Sequence, residues 1–229
     1  MPRWSPALVA FLDAVDLRIG DVVLASAPID HMWGMSSVSL TFGVRGTLVL
    51  QRTFEAAAAY EALITYRCQA MFAVPVMLQR ILELPPPDGR VRALGELRVV
   101  ASCGSRCPSG MTTDFMAAFG DVLYNVYGTT EISVATIATP TDLRRAPESV
   151  GVAPPGIRVS VLDDDLHVVP DGVTGRIFVH NPMARADYAD GSGRAAQHHG
   201  MQFTGDFGHV RDGLLFVDGR EDEVVISGG

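Results

Sequence analysis

Lysine is missing from this sequence: all 18 basic residues of the 229-residue chain are arginines. A Walker P-loop needs a lysine that reaches the phosphates of a nucleotide, and a Schiff-base enzyme needs a lysine amine. The composition therefore excludes both kinds of site from this chain, whatever caused the bias.

Cysteine is also scarce, with Cys68, Cys103 and Cys107 as the whole set. Three cysteines at irregular spacing do not form a disulfide framework, and no second pair completes a zinc site. The sequence has no run of 18 apolar residues and does not open on a secretory signal, so we expect no transmembrane segment. These features together indicate a reduced chain in the cytoplasm.

Basic residues are outnumbered by acidic ones, 18 against 26, which gives a net charge of −8. A chain of this sign is not expected to bind nucleic acid. Hydrophobic residues make up 48% of the chain and charged residues 19%, a balance typical of a globular protein with a substantial core.

Apolar runs alternate with helical periodicity over residues 1–146, which predicts an α/β fold with a parallel sheet and covering helices. Thr53 is the predicted N-cap of a helix over residues 54–66. The predicted strands lie at residues 22–25, 47–50, 71–74, 97–102 and 122–127, and the predicted helices at 54–66, 75–84 and 108–119.

The pattern changes after residue 146 to short alternating segments separated by turn residues. Strands predicted at residues 157–162, 175–180 and 214–217 indicate an antiparallel, β-rich and barrel-like subdomain over residues 147–219. The sequence therefore predicts two regions of different architecture.

The segment Tyr127-Gly128-Thr129-Thr130-Glu131 follows a predicted parallel strand, which is where open α/β sheets place their ligands. The tyrosine ring can stack on a base, and threonine hydroxyls can bind a phosphate. The glutamate can hold Mg²⁺ beside that phosphate. Taken alone, the segment is equally consistent with a strand-to-turn transition that has no function.

Four further segments carry chemistry of a compatible kind. Thr204-Gly205-Asp206 places a carboxylate after a glycine turn, where it can accept hydrogen bonds from both hydroxyls of a ribose. The segment 28–34 brings an imidazole and an indole into one loop, and the segment 102–105 ends a strand with small residues that let a ligand approach the backbone. Gly219-Arg220-Glu221-Asp222 comes near the end of the chain.

These segments, in this order, resemble the adenylate-forming superfamily and, within it, the fatty-acyl-CoA ligases. Residues 127–131 resemble the adenine and magnesium motif of that family, and residues 203–206 resemble its ribose motif. Residues 219–222 resemble the motif at the hinge to a small C-terminal domain, and residues 28–34 resemble the proline-and-histidine motif at the acyl pocket. The resemblance covers residues 21–229.

The resemblance implies a two-step reaction in which a fatty acid and ATP give acyl-adenylate and pyrophosphate, and CoA then displaces AMP. Thr130 would contact the α-phosphate and Glu131 would hold Mg²⁺, which makes them the implied catalytic residues. Tyr127 would stack on adenine, and Asp206 and Arg220 would bind the ribose. The complete implied nucleotide-binding set is Gly104, Ser105, Tyr127, Gly128, Thr129, Asp206 and Arg220.

The remaining implied roles concern the acyl group and the hinge. His31 and Trp33 would line the acyl channel, and Asp222 would be the hinge residue within residues 220–229. Three of the implied residues have a simpler alternative. Trp33 can be core packing, His31 can be a buried and hydrogen-bonded imidazole, and Arg220 can form a surface ion pair. Arg106 stands where the family usually has proline.

The resemblance also implies that the family's phosphate loop and its catalytic lysine lie outside this chain. We therefore expect an internal piece of a ligase that is inactive alone and self-associates through the exposed edges of a truncated fold. Three alternatives stay open. The first is a complete ligase reconstituted from this chain and further segments encoded elsewhere. The second is a non-catalytic fragment or decayed gene product that binds a nucleotide or an acyl group, and the third is a module that loads a carrier protein in place of CoA.

Overall fold

The computed structural model describes residues 6–85, 94–182 and 197–221. The chain forms two compact units. We call them the α/β unit, Leu12–Val126 with Ala138–Glu148, and the β unit, Met1–Phe11 with Tyr127–Ile137 and Ser149–Gly229. The domain boundaries given above stay a prediction.

Short strands and helices alternate through the first part of the chain, because its apolar segments are separated by glycine, proline and polar turns. The elements in order are α1 (Pro6–Ala14), β1 (Val22–Ala25), α2 (Met32–Gly43), β2 (Thr47–Leu50), α3 (Ala56–Thr65), β3 (Ala70–Ala73), α4 (Pro75–Leu82), β4 (Val99–Ser102), α5 (Ser109–Phe119), β5 (Leu123–Tyr127), β6 (Thr136–Ala138) and α6 (Pro140–Arg145).

The predicted parallel sheet is confirmed. Its strand order is β2-β1-β3-β4-β5-β6, and β1 pairs in parallel with both β2 and β3. Strands β3 and β4 are buried along their whole length, as expected for parallel strands covered on both faces. Leu24, Met71 and Val100 of these central strands belong to one core cluster with Leu63 of α3 and Phe115 of α5.

The start of helix α3 differs from the prediction. Thr53 is not the N-cap of α3: the helix begins at Ala56, and the Glu55 carboxylate accepts a hydrogen bond from the Ala58 backbone N–H at 2.9 Å. A carboxylate at this position satisfies a free backbone donor and also interacts favourably with the positive end of the helix dipole.

The second part of the chain is antiparallel β-structure, as predicted. Its strands are β7 (Arg158–Leu162), β8 (Gly175–His180), β9 (Gln197–His198), β10 (Met201–Arg211) and β11 (Leu214–Arg220). The strand order is β11-β10-β8-β7, with β9 on β10, so the sheet does not close into a barrel among the residues described. Its core includes Ile157, Ile177 and Leu215.

The described helices are all too short or too polar to cross a lipid bilayer. The topology places the candidate residues at strand ends. Because β1, β3 and β4 are parallel neighbours, their carboxyl ends share one edge of the sheet. The loop with His31, Trp33 of α2, and the loop with Gly104 and Ser105 follow β1 and β4 there.

Candidate functional site

The loop of residues 128–134, which we call the signature loop, follows β5 and is closed by its own backbone. The Ala135 N–H donates to the Tyr127 carbonyl at 2.8 Å, and the Ser133 N–H donates to the Thr129 carbonyl at 2.8 Å. A Cβ atom on Gly128 would lie 1.7 Å from the Ser133 carbonyl oxygen. Only glycine therefore allows the loop to fold back this tightly.

Asn181 at the end of β8 fastens the signature loop from outside. Its side-chain amide donates to the Ile132 and Val134 carbonyls, both at 2.9 Å, and the residue is 4% exposed. Ile132 itself is buried in the core of the β unit. The sequence analysis missed Asn181, because nothing around an asparagine after a strand shows which distant carbonyls it will bind.

The polar side chains of the signature loop differ in exposure. Thr130 is exposed and Glu131 is half-buried, so both are accessible to a ligand. The Thr129 Oγ1 atom is buried and has no hydrogen-bond partner among the residues that the structure describes. A buried hydroxyl without a partner costs free energy unless a ligand or water satisfies it. The loop thus offers a hydroxyl and a carboxylate within three residues, a donor set suited to a phosphate with its magnesium ion.

Strand β10 carries the predicted ribose motif on a local irregularity. Its register with β8 shifts between Phe203 and Phe207, and Gly205 there has a φ of 83°, which favours glycine. The Thr204 hydroxyl donates to the Ile177 carbonyl at 3.1 Å and accepts from the Asp206 N–H at 3.0 Å. These contacts hold the Asp206 carboxylate inside the unit, where the residue is 5% exposed.

Tyr127, Asp206 and Arg220 meet in the structure although they are far apart in sequence. The Tyr127 Oη atom donates to Asp206 Oδ2 at 2.6 Å, and Arg220 Nε lies 3.3 Å from Asp206 Oδ1. Asp206 and Arg220 are also paired across β10 and β11. Burial and the negative charge of Asp206 raise the pKa of Tyr127 well above its usual range, so the phenol stays protonated.

The α/β unit holds the residues implied for the acyl side. The Trp33 indole Nε1 donates to the Ala73 carbonyl at 3.0 Å, at the carboxyl end of β3, and its ring lies 5.2 Å from that of Phe72. His31 is exposed, which excludes a buried imidazole. A Cβ on Gly34 would lie 2.0 Å from the Pro28 carbonyl oxygen, so glycine is needed where α2 meets the preceding loop.

The loop after β4 is open to solvent. Gly104 and Ser105 are both exposed, and Gly104 has a φ of 101°, in the region that favours glycine. Arg106, which replaces the usual proline, lies 3.6 Å from the Glu148 carboxylate in an exposed ion pair of the same unit. The nucleotide contacts of Gly104 and Ser105 stay a prediction, as does the acyl-channel role of His31 and Trp33.

The cysteines and the remaining site residues complete the comparison with the sequence. Burial raises the pKa of Cys68 and Cys107 to about 11 and that of Cys103 to about 12, so none of the three is an activated thiol. No cluster of metal-binding side chains occurs within residues 6–85, 94–182 and 197–221. The predicted hinge residue Asp222 lies outside the described residues.

The comparison with protein families gives the identity. Residues 6–188 match the family described as AMP-binding enzyme. The chain belongs to this family. The resemblance inferred from residues 127–131 and 203–206 is therefore confirmed at the level of the family, whereas the roles of individual residues stay predictions.

Relatives of this AMP-binding family chain act on different acids. An indoleacetate–CoA ligase from Aromatoleum aromaticum is 30% identical over 223 residues, covering 95% of this chain and 43% of that enzyme. A medium-chain fatty-acid–CoA ligase from Escherichia coli is 28% identical over 229 residues, covering 96% and 39%.

The similarity of this fold to a solved structure agrees with the family assignment. The amide bond synthetase McbA from Marinactinospora thermotolerans matches with a TM-score of 0.84 and 27% identity, over 93% of this chain and 44% of that one. This confirms the fold class, a parallel sheet with helices followed by antiparallel β-structure. The chain spans less than half the length of these proteins.

Proposed function

We propose that this chain is the nucleotide-binding part of a ligase that activates a carboxylic acid with ATP and transfers the acyl group to CoA. One observation supports this most: Tyr127, Asp206 and Arg220 come from three separate motifs and meet around one carboxylate. The tyrosine presents an aromatic ring for a base, and the carboxylate presents acceptor oxygens for ribose hydroxyls.

The chemistry proceeds in two displacements. An oxygen of the substrate carboxylate attacks the α-phosphorus of ATP, and pyrophosphate leaves with the electrons of the broken phosphoanhydride bond. The CoA thiol loses its proton and its sulfur attacks the acyl carbonyl carbon. The bond between that carbon and the phosphate oxygen breaks, and AMP leaves with its electrons. In this proposal Tyr127 stacks on adenine, Asp206 and Arg220 bind the ribose, and the Thr130 hydroxyl donates a hydrogen bond to an α-phosphate oxygen.

The signature loop fits a magnesium ion through Glu131. The Glu131 carboxylate is half-buried and adjoins the exposed Thr130, and the orphaned Thr129 hydroxyl lies two residues away. A bound Mg²⁺ ion would neutralise negative charge on the phosphate oxygens. We propose that Glu131 orients its carboxylate for that ion while Thr130 holds the phosphate.

The acid substrate is a fatty acid in this proposal, with His31 and Trp33 beside it. Trp33 is fixed by its bond to the Ala73 carbonyl at the carboxyl end of β3, and this fixed indole supplies a flat apolar wall. The fatty-acid–CoA ligase among the relatives supports this choice, while the indoleacetate–CoA ligase makes an aromatic acid the substrate to test against it. ATP and CoA are cytoplasmic metabolites, so we expect the activity in the cytoplasm.

The absence of lysine favours a second function for the 229-residue chain when it acts alone. Charge stabilisation at the phosphoryl centre is the largest catalytic term in such transfers, and here it would rest on arginine and Mg²⁺. We propose that the chain alone binds nucleotide but releases no pyrophosphate from ATP. Steady pyrophosphate release with Mg²⁺, CoA and a panel of medium-chain fatty acids and indoleacetate would contradict this.

The nucleotide proposal is tested by calorimetric titration of the chain with AMP and 2′-deoxy-AMP. We expect AMP to bind more tightly, and Asp206→Ala to remove that preference, because a hydrogen bond to a charged group contributes roughly 1.5–3 kcal/mol. Asp218→Ala is the matched control, since Asp218 lies on β11 and contacts Thr174 and His209. Equal affinity of the wild type for both nucleotides would refute the ribose assignment.

A further inference from the structure

The hydroxyl of Tyr127 has a partner that stacking on a base does not require. It donates to Asp206 Oδ2 at 2.6 Å across 79 residues of sequence. The ring packs against the core of the β unit. The ring and the hydroxyl of Tyr127 are thus engaged in different interactions, and substitution can separate them.

The Asp206 carboxylate is held at both of its oxygens by different groups. Tyr127 Oη contacts Oδ2, and Arg220 Nε lies 3.3 Å from Oδ1. The Arg220 side chain is 53% exposed, and an ion pair with such a partner is weakened by solvent. The Tyr127 bond is short, largely shielded from water and directed to an ionised acceptor, the kind of hydrogen bond that is strongest in proteins.

A carboxylate can accept several hydrogen bonds at once, because its two oxygens offer about four lone-pair sites. The bond from the Tyr127 hydroxyl to Oδ2 restrains the rotation of the Asp206 carboxylate and so the direction in which its oxygens accept. An acceptor oriented before binding does not have to be ordered when the ligand arrives.

We propose that Tyr127 is a positioning residue for ribose recognition: its hydroxyl orients the Asp206 carboxylate toward the two ribose hydroxyls, in addition to any stacking of its ring. This inference rests on the proposed ribose role of Asp206. In this arrangement the Tyr127 side chain couples the base-binding and ribose-binding parts of the site. The raised pKa of Tyr127 agrees with it, because the phenol remains a donor over the whole physiological pH range.

The test compares Tyr127→Phe with Tyr127→Ala in titrations with AMP and 2′-deoxy-AMP. Tyr127→Phe keeps the ring, so we expect AMP affinity to fall about 3- to 10-fold while 2′-deoxy-AMP affinity changes less than about 2-fold, given the usual strength of charge-assisted bonds. Tyr127→Ala also removes the ring and should weaken both nucleotides. The signature of positioning is therefore a loss of ribose discrimination with the ring intact.

Tyr124→Phe is the matched control. Tyr124 is a buried tyrosine on the same strand, its hydroxyl bonds to the Asp16 backbone, and it belongs to the α/β unit. We expect this variant to keep the wild-type ratio of AMP to 2′-deoxy-AMP affinity. A loss of discrimination equal to that of Tyr127→Phe would show a general packing effect and overturn the proposal.

A measurement without nucleotide separates this inference from the function it rests on. The ¹³C resonance of the Asp206 carboxyl carbon in labelled chain should shift in Tyr127→Phe and stay in place in Tyr124→Phe. An unmoved resonance, or full ribose discrimination in Tyr127→Phe, overturns the positioning role. If the wild type itself shows no preference for AMP over 2′-deoxy-AMP, the ribose role of Asp206 fails, and this proposal fails with it even where the resonance shifts.

Discussion

Replacing Asn181 by alanine should destabilise the chain by an amount that the structure allows to be estimated. The Asn181 amide is 4% exposed and donates to the Ile132 and Val134 carbonyls, both at 2.9 Å. Leaving a buried polar group unsatisfied costs roughly 1–3 kcal/mol, so two carbonyls imply about 2–6 kcal/mol. This is a large fraction of a total stability of about 5–15 kcal/mol.

The assay is thermal unfolding followed by circular dichroism. For a chain of this size 1 kcal/mol corresponds to about 2–4 °C in Tm, so the expected decrease for Asn181→Ala is about 4–24 °C. Asn181→Asp keeps the size of the side chain but presents acceptor oxygens to two carbonyls, and it should lose at least as much. Gln197→Ala, at an exposed position of β9, is the control and should keep the wild-type Tm.

Asn181→Ala should also weaken nucleotide binding at temperatures where the variant is still folded, because the signature loop carries Thr130 and Glu131. A Tm within about 2 °C of the wild type would refute the reasoning, since the two carbonyls would then be satisfied without the amide. A large decrease in Tm with unchanged ATP affinity would show that Asn181 stabilises the unit and does not shape the loop.

Three further predictions concern other parts of the molecule. Gly128→Ala would place a Cβ 1.7 Å from the Ser133 carbonyl oxygen, so we expect a lower Tm and lost AMP binding, with exposed Gly110→Ala as a mild control. Burial raises the pKa of the cysteine thiols to about 11–12, so their contribution to stability is complete below about pH 9 and is lost as the pH rises further. Urea unfolding should therefore give a lower free energy of unfolding at pH 10 than at pH 7. The thiols of the folded chain should resist alkylation at pH 8. Strand β2 is at the end of the sheet order and Leu50 is 53% exposed, so gel filtration should show self-association that Leu50→Lys reduces. A monodisperse wild-type monomer would contradict this.

The sequence predicted the strands of the parallel sheet well because burial on both faces requires continuous apolar runs. Segments such as Val22–Ala25 and Ala70–Ala73 are apolar throughout, and their positions can be found without knowing their partners. Helix α3 was found for a similar reason, although its cap was not. Thr53 and Glu55 are both chemically able to cap, and the path of the chain before the helix decides between them.

Strand β10 was recognised only as a motif and not as a strand of 11 residues. Its sequence MQFTGDFGHVR contains two glycines, and its buried positions include the polar residues Gln202, Thr204 and Asp206. Hydrophobic alternation is lost where the side chains that point inward are polar and satisfied by hydrogen bonds. Such a departure from the expected pattern is itself typical of a functional segment.

The sequence by itself determined the family, strands β1 to β5 of the parallel sheet and the residue types available for chemistry, because short motifs and local periodicity are properties of neighbouring residues. The tertiary structure alone decided that the Tyr127 hydroxyl donates to Asp206, 79 residues away, and that Asn181 binds the signature loop. A side-chain hydrogen bond needs its two atoms within about 3 Å, and only the folded arrangement of strands brings distant residues that close.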